Sequence, residues 1–473
     1  MLSKGDFPDS AAKILEWIDH YLKNIESFPV KSRVKPGEIT NALEHIKSTG
    51  KVDLDEVIQE LNDIVLPGIT HWQHPNFHAY FPANSSIESV LAEFVTAALG
   101  AQCMMWQTSP VAAEMEEFVL NWLKRELGLP EAWEGVIQDT ASTATLTALL
   151  TAREVKTGFS SNMEGVSPGM RVYGSKETHS SIEKAVGIAG IGRKNFVAIE
   201  VDDQQALVPD VLESCIKEDL ADGLIPLCVV ATIGTTGTLG VDPLPEISEI
   251  CQKYKVWLHV DAAYAGTALI LEEYRWMIKG MDRADSFVFN PHKWMFTNFD
   301  CSAYYVKNAE YLVRTFDISP EYLKTSPVGQ VRDYKDWGIP LGRRFRALKL
   351  WFVLRLMGVE GIRLKLRNHI EMAKSMAEKV SAQQGLEVVS GPFLNFFAFR
   401  SNLSEDDSTN DVVTEALMER LNASGVVFLS HTKLNGRFIV RMVIGQTYVN
   451  QAHVDRAFDA IVKELNALKP MVR

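Results

Sequence analysis

Apolar residues recur at helical spacing at Ile14, Leu15, Ile18, Tyr21, Leu22 and Ile25, which predicts an N-terminal helix ending before Pro29. Its polar face carries too few lysines for a lipid surface, so the stripe is expected to pack on another domain or subunit. From about residue 138 to 305 the pattern changes. Short apolar runs at 171–174, 196–199, 227–233, 256–260 and 286–289 alternate with helical segments such as 142–153, 209–220 and 243–254. Strands alternating with helices predict a mainly parallel sheet covered by helices on both faces, an α/β architecture. Beyond Arg343 a long amphipathic helical stretch leads into strands at 386–389 and 393–399. A helix at 412–423, strands at 426–429 and 438–444, and a helix at 452–465 complete a small α+β region. The pattern divides the chain into a helical segment (1–86), a large α/β domain (87–350) and a small α+β domain (351–473).

Composition narrows the class. At 473 residues, 46% hydrophobic and 23% charged, the chain has the make-up of a globular protein, which excludes disordered, collagen-like and disulfide-stapled classes. Its net charge of −12, with no polybasic block, argues against nucleic acid or an anionic membrane as partner. Five scattered cysteines without a C-x-x-C pair read as reduced thiols of a cytoplasmic protein. No apolar signal core follows Met1, and no uncharged apolar run reaches the ~18 residues of a membrane span.

Chemistry gathers where the strands end. The run 256–260 leads into Asp261, and 286–289 leads into Asn290-Pro291-His292-Lys293. The run 227–233 leads into Gly234-Thr235-Thr236-Gly237, and 171–174 leads to His179. A parallel sheet binds its ligands outside these carboxyl ends. Singly, each residue has an ordinary explanation as a cap, a turn or a solvated side chain. Asp261 fits that explanation least, because Trp257, Val260 and Tyr264 predict burial, and a buried carboxylate needs a cationic partner. Small and hydroxyl residues at Thr140, Ala141, Ser142 and Thr143 open an apolar helix whose free N–H groups suit a phosphate. Pyridoxal phosphate would use all of these together: a lysine for an imine, a phosphate cradle, a carboxylate for the ring nitrogen and a group stacked on the ring.

The runs His259-Val260-Asp261-Ala262-Ala263-Tyr264-Ala265-Gly266 and Asn290-Pro291-His292-Lys293-Trp294 resemble the group II pyridoxal-phosphate decarboxylases, and within them the aromatic-L-amino-acid decarboxylases. So do His71-Trp72, Ala79-Tyr80-Phe81-Pro82, His179-Ser180-Ser181 and the segment 339–346; the resemblance covers nearly the whole chain. It implies fold type I, a homodimer with active sites at the subunit boundary, an N-terminal segment packed on the partner, and pyridoxal 5'-phosphate held by the large domain. It implies that Lys293 carries the imine, Asp261 pairs with the ring nitrogen, His179 stacks on the ring, and Ala141, Ser142 and Asn290 hold the phosphate. Thr236 and His292 would line the reacting side. Trp72, Tyr80, Phe81 and Pro82 would shape the aromatic pocket, joined by Gln102, Met104 and Gly342. Tyr322, in a segment rich in structure breakers, would protonate Cα after carbon dioxide leaves.

The implied reaction converts an aromatic L-amino acid (tryptophan, tyrosine, dopa, phenylalanine or 5-hydroxytryptophan) to its arylalkylamine. Related aldehyde synthases carry phenylalanine at the position of Tyr322, so this chain reads as a simple decarboxylase; oxidative deamination to an aldehyde is the alternative, and an inactive cofactor-bearing scaffold is a third. Thr143, Ala83, Met104 and Gln102 depart from residue types frequent in the family, which leaves the preferred substrate open. His71, His74 and His78 raise the thought of a metal, but Pro75 interrupts their spacing and no acidic or thiol ligand lies close, so no metal is expected. Ser181-Ile182-Glu183-Lys184 fits S-x-x-K and Lys156-Thr157-Gly158 fits K-T-G, yet their order is reversed from penicillin-recognising enzymes. The glycines at 187–192 do not form G-x-G-x-x-G.

Overall fold

A computed structural model describes residues 4–44, 46, 50–318 and 331–472. Compactness divides the chain into two units, Ala83–Ile370 on one side and Met1–Pro82 together with Glu371–Arg473 on the other. This grouping differs from the three-part division drawn from the pattern, because the N-terminal segment clusters with the C-terminal one.

The larger unit is built on a seven-stranded sheet of β1 (Glu134–Gln138), β2 (Met170–Ser175), β3 (Phe196–Ile199), β4 (Ile225–Thr232), β5 (Trp257–Asp261), β6 (Ser286–Phe289) and β7 (Ser302–Val306), in the order β1-β7-β6-β5-β4-β2-β3. The pairs among β2 to β6 are parallel, as the alternation of strands and helices requires, whereas β7 runs antiparallel to both β6 and β1. β1 thus runs the same way as β6, and its carboxyl end shares the edge reached by β2, β4, β5 and β6. Helix Ala141–Lys156 buries Ala144, Ala148 and Ala152 against a core that includes Val172, Val230 and Val288. Strands buried on both faces read as continuous apolar runs, which is why β2 to β6 are visible in the sequence.

Gly266 shows how tight this core is. A Cβ there would lie 2.5 Å from Phe289 Cβ and 3.1 Å from Ala262 Cβ. Gly266→Ala is therefore expected to lower stability by about 1–3 kcal/mol through overpacking. Its denaturation midpoint, compared with that of the unchanged protein, checks this.

The smaller unit holds an antiparallel sheet of β8 (Leu386–Phe393), β9 (Phe396–Ser401), β10 (Ser430–Leu434) and β11 (Arg437–Val443), in the order β10-β11-β9-β8. Helices Asp407–Ser424 and Gln451–Leu468 cover it, with Leu417, Leu421, Ile461 and Leu465 in its core. The N-terminal segment is tied in by Val30 N–H to Gly425 O (2.9 Å), His78 N–H to Phe428 O (2.9 Å) and Val443 N–H to His78 O (3.0 Å).

Three details correct the sequence reading. The run 393–399 is two strands, because Leu394 takes a left-handed φ of 49° and Asn395 completes a turn between β8 and β9. At 426–429 there is only an isolated bridge from Phe428 to Phe77; the ladder begins at Ser430. The helical stretch after Arg343 is broken into Arg346–Leu356 and Gly358–Ala382, with Gly358 at a φ of 68° that suits glycine. No residue of the N-terminal helix, Phe7–Asn24, is fully buried; Tyr21 packs half-buried against Phe28 and His71. None of the described helices is long and apolar enough to cross a membrane.

Candidate active site

Four strand ends deliver the candidate residues to one edge of the large sheet. β5 ends on Asp261, β6 runs into Asn290-Pro291-His292-Lys293, β4 into the loop carrying Thr236, and β2 into the turn carrying His179. β1 leads at the same edge to Ala141 and Ser142, the first residues of helix Ala141–Lys156.

Asp261, Lys293 and His179 come together. Asp261 is only 5% exposed, and its Oδ1 accepts the Ala263 N–H at 3.0 Å. Burial raises its pKa, while that hydrogen bond and the charges of Lys293 and His179 pull it down. Burial lowers the pKa of Lys293 and the charge of Asp261 raises it. His179 lies on the exposed side of this group. Desolvation lowers its pKa, with Asp261 acting upward and Lys293 downward. Each of the three therefore lies within electrostatic range of the other two, as a ligand with cationic and electrophilic ends would require.

The loop that carries Lys293 is pinned on several sides. Asn84 donates its N–H to His292 O (2.9 Å) and its Nδ2 to Lys293 O (2.7 Å). Lys293 N–H donates to Asn290 O at 2.9 Å. The Cys301 N–H donates to His292 Nδ1 at 2.9 Å, so the neutral ring carries its proton on Nε2. Burial, and then Lys293, push the His292 pKa down to about 3. Phe299 meets that ring edge-on at 4.8 Å. Beyond the loop, Trp294 stacks on Tyr264 at 5.4 Å and donates Nε1–H to His369 Nδ1 at 3.1 Å.

Asn290, 3% exposed, accepts the Ser302 hydroxyl on Oδ1 at 2.7 Å, which orients its amide N–H groups away from Ser302. At the start of helix Ala141–Lys156, Thr140 caps the N–H of Thr143, and Ser142 is exposed at the helix's positive end. Thr236 is exposed on its loop, whose neighbour Thr235 is buried and accepts the Gly240 N–H at 2.8 Å. Asp242 braces the same loop by accepting the N–H groups of Thr232 (2.7 Å) and Leu207 (2.8 Å), and burial pushes its pKa up to about 7.

These features fit pyridoxal phosphate: an amine beside a buried carboxylate, an exposed imidazole, and amide and helix N–H donors at one sheet edge. Lys293, Asp261, His179, Asn290, Ala141 and Ser142 are the groups that would hold it.

Gln102 accepts the Arg343 N–H on Oε1 at 2.7 Å, and its Nε2 would sit 3.2 Å from a Cβ at Gly342, so those two adjoin. Met104 O accepts the Lys335 N–H at 2.8 Å. Trp72, Tyr80, Phe81 and Pro82 belong to the smaller unit. There Trp72 stacks on Phe77 (4.5 Å) and Tyr80 (5.9 Å), and Phe81 lies beneath the Arg441 guanidinium at 5.1 Å. Phe81 and Pro82 are buried, whereas Trp72 and Tyr80 are 38% and 49% exposed. Tyr80 stands at a φ of 54°, strained for an aromatic residue. His71, His74 and His78 are engaged one by one, with Tyr21 Oη (3.0 Å), the Asn76 N–H (3.0 Å) and Val443 O (3.0 Å). Tyr322 lies outside the described residues.

Asn84, Ser302 and Asp242 escaped the sequence reading. Asn84 acts from a distant stretch of chain, Ser302 and Asp242 from nearer ones, and nothing in the local sequence of any of them signals the contact.

The chain is similar to known proteins over nearly its whole length. The model of the pyridoxal-dependent decarboxylase conserved domain matches residues 36–402. The chain is 40% identical to tyrosine decarboxylase 2 of Narcissus pseudonarcissus, covering 95% of this chain and 92% of that protein. It is likewise 40% identical to phenylacetaldehyde synthase of Arabidopsis thaliana, over 96% of this chain and 95% of that one. Among solved structures, Oryza sativa TDC with PLP and tryptamine superposes with a TM-score of 0.96 at 34% identity, covering 100% of this chain and 99% of that one.

Proposed function

Because the chain belongs to the pyridoxal-dependent decarboxylase family, we propose that it removes the carboxylate of an aromatic L-amino acid as carbon dioxide and releases the arylalkylamine. The observation that carries this reading is the placement of Asp261 at the end of β5 and of Lys293 on the loop after β6, at one edge of the sheet in a member of that family. Pyridoxal phosphate, when bound, supplies an electron-accepting ring conjugated to the substrate's α-carbon.

The chain's own residues do the rest. Lys293 acts as the covalent anchor, and its lowered pKa leaves more of the amine unprotonated and nucleophilic than in a solvated lysine. Asp261 holds a proton at the ring nitrogen, because a buried carboxylate is stabilised by a cation at hydrogen-bond distance. The first-turn N–H groups of helix Ala141–Lys156 and the Asn290 amide bind the phosphate. His292, with its proton fixed on Nε2, faces the reacting side as a hydrogen-bond donor, and Thr236 lines the same side. Trp72, Tyr80, Phe81 and Pro82 offer the aromatic wall for the substrate ring, with Gln102, Met104 and Gly342 as further wall residues. Tyr322 delivers a proton to Cα.

We place the active enzyme in a homodimer. On helix Ile87–Leu99 the side chains of Ile87, Leu91, Phe94, Val95 and Leu99 are exposed along one face, and a second copy would cover them. Five free cysteines suit the reducing cytoplasm.

Likeness to a phenylacetaldehyde synthase favours a second reading, oxidative deamination to an aldehyde. Carbon dioxide, amine, aldehyde and peroxide measured together on the common aromatic amino acids separate the two. Amine without peroxide is the expected result; aldehyde with peroxide would replace the decarboxylase reading with the synthase one. Tyr322→Phe should move product from amine toward aldehyde, since the substrate's Cα would lose its proton donor and stay open to oxygen. Unchanged amine output from this variant would remove Tyr322 from the proton-donor role.

A further inference from the structure

His179 stands at the exposed rim of the site, yet its ring is held from one side. It precedes helix Ser181–Ile188, whose first N–H groups have no partner within the helix. The Ser181 N–H donates to His179 Nδ1 at 3.2 Å, and Ser181 Oγ lies 2.7 Å from the same nitrogen. A backbone amide can only donate. In the neutral ring Nδ1 is therefore the bare nitrogen, the Ser181 hydroxyl is a second donor to it, and the proton sits on Nε2. Turning the ring over would put a carbon where Nδ1 stands and forfeit both contacts.

We propose that Ser181 is a positioning residue that fixes His179 as its Nε2–H tautomer and holds the imidazole in one orientation beside Lys293 and Asp261. It deepens the decarboxylase reading, on which it rests, by stating what His179 does there. With Nδ1 engaged by two donors, the ring offers the site a hydrogen-bond donor at Nε2 and no basic nitrogen. His179 is thereby excluded as the base or the proton acceptor of the reaction. Two further features reinforce this. The positive end of helix Ser181–Ile188 disfavours a proton at Nδ1. The strand preceding the turn carries Gly174, where a Cβ would lie 2.9 Å from Thr178 Oγ1, so the chain can fold back closely just before His179.

The test uses the holoenzyme with histidine-selective 15N labelling, together with Ser181→Ala and Ser181→Thr. The unchanged enzyme should show His179 as the Nε2–H tautomer. Ser181→Ala should weaken the visible circular dichroism of the bound cofactor and lower kcat about fivefold to tenfold, the effect of one hydrogen bond, with little change in KM. Ser181→Thr should restore both signals. An Nδ1–H tautomer in the unchanged enzyme would overturn the proposal, and so would a Ser181→Ala variant with unaltered dichroism and kcat. The tautomer is read without turnover. If the unchanged enzyme released no carbon dioxide from any aromatic amino acid, the decarboxylase reading would fall while the tautomer assignment was judged on its own spectrum.

Discussion

Lys293→Ala is expected to eliminate the borohydride-stable adduct between chain and cofactor and to cut carbon dioxide release by roughly 10²–10⁴-fold, the range for losing a group that takes part directly in the chemistry. The expectation follows from where the amine sits. Lys293 leaves β6 on a loop fastened by Asn84 to two successive carbonyls, so its position is set by the backbone rather than by its own flexible stem. Burial lowers its pKa, and Asp261 pulls in the opposite direction. That balance makes the amine more available at neutral pH than a surface lysine, so adduct formation should quicken as pH rises toward the lowered pKa and level off above it. Peptide mapping after borohydride treatment reads the outcome. An adduct found on another lysine, or one that persists in Lys293→Ala, would withdraw the assignment. Methylamine added to the variant offers a second measurement, since partial return of activity is expected when a free amine replaces the missing one.

Much of this arrangement was legible because of a single physical habit of parallel sheets. Strands buried on both faces become short apolar runs, and polar residues that follow such runs collect at one edge. Asp261 and Asn290 each follow a run directly and Lys293 comes three residues after Asn290, so their gathering could be anticipated. β1 and β7 were not anticipated: β1 carries Glu134, Gly135 and Gln138, and β7 follows β6 as its antiparallel neighbour with no helix between them as a marker. The breaks at Leu394 and Gly358 were missed because the apolar pattern runs through both while the backbone turns. The supporting contacts were invisible for another reason. Asn84 reaches Lys293 across 209 residues of sequence, and Ser302 meets Asn290 only because β6 and β7 pair as neighbours. His179 was found at the start of a helix, but its tautomer depends on a distance from Ser181 that no spacing rule supplies. The group Trp72, Tyr80, Phe81 and Pro82 was named by resemblance; the left-handed φ of Tyr80 and the parallel stack with Trp72 belong to the structure.

Asp261→Asn should be nearly as damaging as the loss of Lys293, lowering kcat about 10²–10³-fold with the fold intact. Asparagine preserves the volume, and its carbonyl oxygen can still accept the Ala263 N–H now received by Oδ1 at 3.0 Å. What disappears is the negative charge. In the unchanged protein that charge is costly: burial drives the carboxyl toward its protonated form, and only Ala263, Lys293 and His179 act against it. A cation placed against the carboxylate repays this cost, which is why the residue is suited to keep a ring nitrogen protonated. A neutral amide there could no longer hold a proton at the ring nitrogen of the bound cofactor, and the electron withdrawal that the cofactor would supply would weaken. The variant should therefore still form the Lys293 adduct, bind the cofactor more weakly and turn over slowly even at saturating cofactor. N-methylated pyridoxal phosphate, whose ring nitrogen is permanently cationic, should recover part of the lost rate. A variant within about twofold of the unchanged enzyme would mean that the anion at 261 does not control the ring's charge. A variant that binds no cofactor at all would point instead to a purely structural role for this side chain.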